Sequence, residues 1–132
     1  MDKNFLLTGA VLVVVGVVLG AFGAHGLKKV LDASALTSFE TGVRYQIYHG
    51  LAMLFLGLLA SSSKYVASGQ SLSVVFYVML CGVILFSGSI YLLSTRAISG
   101  VDFSRIGFIT PIGGLSLIIS WCILCVQLYR LK

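Results

Sequence analysis

Four long stretches of this chain are almost wholly apolar, and short polar segments separate them. They cover about 5–27, 42–62, 72–93 and 107–129. Between Lys3 and Lys28 only His25 can titrate, the third and fourth stretches carry no charge, and the second admits Arg44 at its entrance. A hydrocarbon core of about 30 Å is crossed by roughly 20 helical residues, so each stretch is long enough. In lipid the backbone must satisfy its own hydrogen bonds, which a helix does within one segment. The stretches are too long and alternate too little to be barrel strands. The pattern predicts an all-α integral membrane protein: one domain, 1–132, with four transmembrane helices in a compact bundle. A cleaved signal peptide is the alternative for the first stretch, with Lys3 ahead of it and small residues at 21–24, but the apolar run exceeds the usual 7–15 or so residues.

The connections carry their own signals. In the first, about 28–41, Thr37-Ser38-Phe39-Glu40 reads as a capping box, in which the Thr hydroxyl and the Glu carboxylate satisfy free N–H groups at a helix start. The second helix is therefore expected to begin near Ser38, with Leu36, Phe39 and Val43 resting on the membrane interface. The second connection, about 63–71, is Ser-rich and reads as a plain surface turn. After the third, about 94–105, Thr110-Pro111 is the only X-Pro pair, and Thr at N-cap with Pro at N1 is a recognised helix start. A break or kink is expected at Pro111, with 103–109 as a short interfacial piece.

Polarity gathers at one end of the predicted bundle. Near the first and third connections lie His25, Glu40, Arg44, Gln46, His49, Ser87, Ser89, Tyr91, Ser94, Arg96 and Thr110. Polar groups at membrane depth are costly, so these are expected to face one another, water or a ligand. Glu40 and Arg44 stand at i,i+4 and can pair, or snorkel to the headgroups as a helix end. His25 and His49 read as interhelical hydrogen-bonding groups or as proton-relay and ligand contacts; a bond of the first kind is worth roughly 0.6–2 kcal/mol in a membrane. The candidate ligand-binding set is His25, Glu40, Arg44, Gln46, His49, Ser87, Tyr91, Arg96 and Thr110. Two histidines without clustered acids or thiols argue against a metal site, and no cofactor is implied.

Small residues make a second pattern. Gly9, Gly16, Gly20 and Gly23 lie on one narrow stripe of the first helix, and such stripes let helix backbones approach closely. Packing within the chain is the expected use, and Ser87-Gly88-Ser89 and Gly113-Gly114 are assigned the same role.

Composition agrees with a lipid solvent. Hydrophobic residues make up 58% of the 132 residues and charged residues 10%, with mean hydropathy +1.06, where a soluble domain carries about 25% charge. The net charge of +5 sits beside the apolar runs, where basic residues anchor helix ends and meet anionic headgroups. Nucleic acid is therefore not the expected partner; membrane lipids are, with a second copy or another membrane protein also open. Cys81, Cys122 and Cys125 fall within apolar runs, so the Cys122-x-x-Cys125 pair reads as helix packing, away from the helix N-terminus that a redox pair uses. Orientation is almost balanced: Lys28, Lys29, Arg44, Arg96 and Arg105 face one side, Lys3, Lys64, Arg130 and Lys132 the other. The Lys28-Lys29 pair tips the first and third connections toward the cytoplasm.

Four ordered blocks resemble a known family. Gly20-Ala-Phe-Gly-Ala-His-Gly-Leu27, Thr41-Gly-Val-Arg-Tyr-Gln-Ile-Tyr-His49, Leu85-Phe-Ser-Gly-Ser-Ile-Tyr-Leu92 and Thr110-Pro-Ile-Gly-Gly114 are similar to the YgdD/YwdK family of small bacterial inner-membrane proteins, which has a transmembrane relative in eukaryotes. The likeness covers nearly the whole chain, with Gly50 standing where the family pattern has Ala. It implies four spans and a bacterial plasma membrane, and it implies no activity, substrate or catalytic residue.

Three function classes follow. The first is a lipid- or partner-binding adaptor that uses the polar end. The second is a small transporter or channel gated by Arg44, Glu40, His25 and His49, which would need a homo-oligomer because four helices seldom enclose a pore alone. The third is a lipid-directed enzyme with His25 or His49 as base and Ser87 or Ser89 as nucleophile; no acidic group stands near in sequence to orient the base.

Overall fold

The computed structural model describes residues 3–131; Lys132, counted above with the basic residues of the terminal side, lies outside them. Within them the fold is all-helical: α1 Lys3–His25, α2 Ala33–Ala60, α3 Ser63–Ala67, α4 Ser73–Ser94, α5 Arg96–Ser99 and α6 Ile109–Tyr129, with 3₁₀ turns at Leu27–Lys29 and Ser104–Ile106. Three helical stretches are long and apolar enough to cross a membrane: Lys3–Lys29, Ser73–Ser94 and Ser104–Tyr129. The fourth long helix, α2, is the longest at 28 residues, but Arg44, Gln46 and His49 dilute its apolar character.

Helix boundaries depart from the sequence expectation in three places. α2 starts five residues before Ser38, because Asp32 takes the N-cap and accepts from the Ala35 N–H at 2.8 Å. The Thr37 hydroxyl, freed from capping, donates back to the Ala33 carbonyl at 2.8 Å inside the helix. Phe39 and Val43 are consequently buried with Leu27 and Leu31 in a small apolar cluster instead of lying on the interface. α6 starts at Ile109, so Thr110 is not its N-cap. Pro111 occupies the first turn, where the N–H it lacks would have no helical partner, and the expected break falls just before it, between the Ser104–Ile106 turn and α6. The second connection is no plain turn, since it folds into α3.

α2 and α4 form the central pair, α1 covers α2, and α6 covers α4. Phe5 stacks on Phe76 at 4.0 Å, tying α1 to α4. The main core combines Met53 and Leu56 of α2, Val75, Met79 and Val83 of α4, and Leu117 and Leu124 of α6. The outward faces stay apolar: Val14, Phe22, Ile84, Leu115 and Ile118 are all exposed. Exposed apolar surface on this scale would drive aggregation in water and is the expected solvent-facing surface in lipid.

The glycine stripe of α1 faces α2. A Cβ on Gly9 would come 2.6 Å from the Gly50 carbonyl oxygen, one on Gly16 would meet Ile47 at 2.6 Å, one on Gly20 Val43 at 3.3 Å, and one on Gly23 Phe39 at 3.1 Å. Gly113 brings α6 against the backbone of Leu85 and Phe86. Gly88 behaves otherwise, because a Cβ there would meet nothing within 4 Å; it opens a recess and packs no helix. Cys81, Cys122 and Cys125 are likewise exposed and point away from the core.

Candidate functional site

The nine candidate ligand-binding residues picked out from sequence divide into two groups. Five of them, Gln46, His49, Ser87, Tyr91 and Thr110, form a seam of hydrogen bonds between helices. The other four, His25, Glu40, Arg44 and Arg96, are exposed and stand apart from it.

Gln46 is the centre of the seam and is 4% exposed. Its Nε2 donates to the Leu12 carbonyl of α1 at 2.9 Å, and its Oε1 accepts from the Tyr91 hydroxyl of α4 at 2.7 Å. One side chain thereby joins three helices. The Leu12 carbonyl already belongs to the α1 ladder and uses its second lone pair here.

His49, one turn deeper, joins α2 to α6. Its Nδ1 lies 2.7 Å from the Tyr45 carbonyl, and the Trp121 indole N–H donates to its Nε2 at 3.1 Å. A carbonyl can only accept and an indole N–H can only donate, so the ring is held as the neutral tautomer with the proton on Nδ1. Ser87 is buried and donates to the Gly42 carbonyl at 2.7 Å. Ser89 and Thr110 hydroxyls meet at 2.6 Å between α4 and α6. No buried side-chain nitrogen or oxygen among the described residues lacks a partner.

The exposed group has local partners only. His25 Nδ1 lies 3.0 Å from the Ala21 carbonyl, one turn back in α1. Arg44 donates to the Thr41 hydroxyl at 3.2 Å, and the Glu40–Arg44 pairing that i,i+4 spacing allows is not formed among the described residues. In the third connection the Ser104 backbone N–H donates to Asp102 at 2.9 Å. That bond, helped by the positive charge of Arg96, holds the Asp102 carboxyl below the usual carboxylate range. Among the described residues no three His, Cys, Asp or Glu side chains gather into a metal site.

The seam limits the available chemistry. Both His49 ring nitrogens are engaged, by Tyr45 and Trp121, His25 bonds the Ala21 carbonyl, and no hydrogen bond among the described residues joins either histidine to Ser87 or Ser89. The two serines are themselves bonded across helices, so among the described residues the histidines and these serines form no base–nucleophile pair.

Sequence reasoning missed three features. Trp121 was not singled out from the sequence, yet it supplies the donor to His49. At the opposite end, Tyr65 of α3 donates to Gln127 Oε1 at 2.9 Å and Gln127 Nε2 donates to the Ser71 carbonyl at 3.0 Å. This latch ties the second connection to the last turns of α6 and rims a cavity of about 430 Å³. The lone Gln127 in an apolar run was the available signal. The third feature is a groove of about 490 Å³ along α4 and the start of α6, lined by Ile84, Leu85, Gly88, Leu92, Ile106 and Ile109 with Ser89 and Tyr91 at its floor.

Comparison with known proteins matches residues 19–114 to a family described as "Protein of unknown function (DUF423)". The membrane protein YwdK of Bacillus subtilis is 39% identical over 124 residues, covering 94% of each chain. A membrane protein of Haemophilus influenzae is 40% identical across 88% of this chain and 86% of its own. The inner membrane protein YgdD of Escherichia coli is 37% identical across the whole of this chain and 95% of its own. No solved structure matches.

Proposed function

The chain belongs to the DUF423 family of bacterial membrane proteins, and from that premise we propose that it crosses the bilayer four times and works as a lipid-binding protein. α2 is the fourth span in this reading. Its polar residues Gln46 and His49 point inward to α1, α4 and α6, so the surface it offers to lipid is set by Leu51, Phe55 and Leu58, all exposed. A helix with inward polar groups can span a membrane at a hydropathy that a lone helix could not, because its partners satisfy those groups before lipid meets them.

The observation that carries the binding reading is the closure of the seam: every described buried polar side-chain atom already has a partner within the protein. Conduction needs polar groups that face a water path, and catalysis needs a nucleophile free to reach a base. The polar seam serves neither; it staples four helices and leaves ligand contact to the outer grooves and to the exposed cations Arg44, Arg96 and Arg105. Purification in gentle detergent followed by native mass spectrometry tests this reading. The expected result is a defined lipid adduct on the protein, with proteoliposomes showing no ion or proton flux above empty vesicles. Flux above that background, lost in a His49 or Arg44 variant, would refute it in favour of transport.

A further inference from the structure

The α4–α6 groove has the shape of a chain-binding slot, and an arginine immediately precedes one of its wall residues. Ile84, Gly88 and Leu92 follow one another along the outer face of α4 at i, i+4 and i+8. At 1.5 Å rise per residue they define a slot about 12 Å long, extended along the membrane normal as an acyl chain is. The slot exists because Gly88 has no side chain and nothing approaches its Cβ position within 4 Å. Its floor needs no water, since the Ser89 and Thr110 hydroxyls bond to each other at 2.6 Å. The opposite wall is Ile106 and Ile109, placed there by the Ser104–Ile106 turn that interrupts the approach to α6.

The same turn carries a basic residue. Arg105 precedes the wall residue Ile106, is exposed, and has no hydrogen bond or ion pair among the described residues. The nearest acidic side chain in sequence, Asp102, is engaged by the Ser104 N–H and lies under the influence of Arg96. An apolar slot whose wall residue Ile106 directly follows an unpaired arginine complements one class of molecule, an acyl chain ending in a phosphate.

We propose that this groove is a specific site for an anionic phospholipid, with one acyl chain along Ile84, Gly88 and Leu92 and the phosphate at Arg105. This rests on the lipid-binding reading above and names the lipid class and the place. In an anionic headgroup layer each basic side chain near the surface favours binding by about fivefold, so Arg105 alone is expected to set a preference of that order.

The test uses the full chain in nanodiscs of phosphatidylglycerol and phosphatidylcholine in equal amounts with identical acyl chains, with retained lipid counted by native mass spectrometry. Wild type is expected to retain phosphatidylglycerol over phosphatidylcholine by about fivefold. Arg105→Gln, on an exposed turn where folding is not at stake, is expected to bring that ratio near one while a lipid is still retained. Gly88→Leu fills the slot and is expected to lose both lipids. If wild type retains a lipid without headgroup preference, or if neither substitution changes what is retained, the groove assignment is wrong and lipid binding elsewhere survives. If wild type retains no lipid at all, both the groove and the lipid-binding reading fall.

Discussion

Gly113→Ala puts the packing argument to its sharpest test. An added Cβ at residue 113 would collide with the Phe86 backbone nitrogen and come 2.8 Å from the Leu85 carbonyl carbon. Unstrained heavy-atom contacts lie near 3.5–4.0 Å, roughly 1 Å further out. A methyl group has no rotamer to escape into, and the obstacles are backbone, so α6 must move away from α4. Overpacking of this kind costs about 1–3 kcal/mol. The same displacement stretches the neighbouring Ser89–Thr110 bond from 2.6 Å beyond hydrogen-bonding range, a loss near 0.6 kcal/mol for an average interhelical bond in a membrane. Replacing Gly by Ala in a helix returns up to about 1 kcal/mol in propensity. The net expectation is a destabilisation of about 2 kcal/mol. The control is Gly88→Ala, the same chemical change where a Cβ meets nothing within 4 Å; it is expected to be neutral or stabilising. Denaturant unfolding in bicelles, followed by the fluorescence of the single Trp121, reads both. Equal stability of the two variants would refute the claim that Gly113 sets the α4–α6 distance.

Other expectations follow from the same geometry. Gln46→Leu removes bonds to Leu12 and Tyr91 and is expected to cost about 1–3 kcal/mol, with Tyr91→Phe costing less in the same unfolding assay because the Leu12 bond survives. The His49 ring is expected to show the neutral Nδ1–H tautomer in nitrogen NMR at neutral pH, and Trp121→Phe is expected to shift the Nε2 signal by removing its donor while the proton stays on Nδ1, where the Tyr45 carbonyl still requires it. Tyr65→Phe cuts the latch to Gln127; proteolysis or hydrogen exchange is expected to quicken across 61–72 while the seam residues stay protected. Asp102 is expected to titrate below the usual carboxylate range. Its contribution to the third connection is therefore present above the unfolded value and lost as pH falls through the lower folded one. Ser104→Pro removes the donor N–H and is expected to move the titration back toward the ordinary value.

The placement of polar residues was half legible. Their gathering at one end was visible because polar groups are rare in an apolar chain, so each stands out individually. Their division into a buried seam and an exposed fringe was not, because Gln46 and Arg44 lie two residues apart and differ only in which way the helix turns them. The glycine stripe was readable as a close-packing surface, since four small residues on one face of α1 have few other uses in lipid. Gly88 was assigned the same use and is instead a gap, because a glycine says that a side chain is missing without saying whether a neighbour comes in to fill the space.

Sequence by itself determined the solvent, the helical class and the family. Hydropathy, length and charge add residue by residue, so no knowledge of neighbours is needed to conclude that the chain lives in lipid and forms helices. Tertiary structure decided which helices touch, where each one starts and which polar atoms meet. In lipid there is no hydrophobic drive to mark the inner face of a helix, so the inward side is chosen by glycine contacts and by a few hydrogen bonds that depend on the relative rotation of two helices. The Tyr91–Gln46–Leu12 chain, the Trp121–His49 bond and the Gln127 latch are of that kind. Each joins residues more than thirty positions apart, and the local pattern around each position carries no trace of the other.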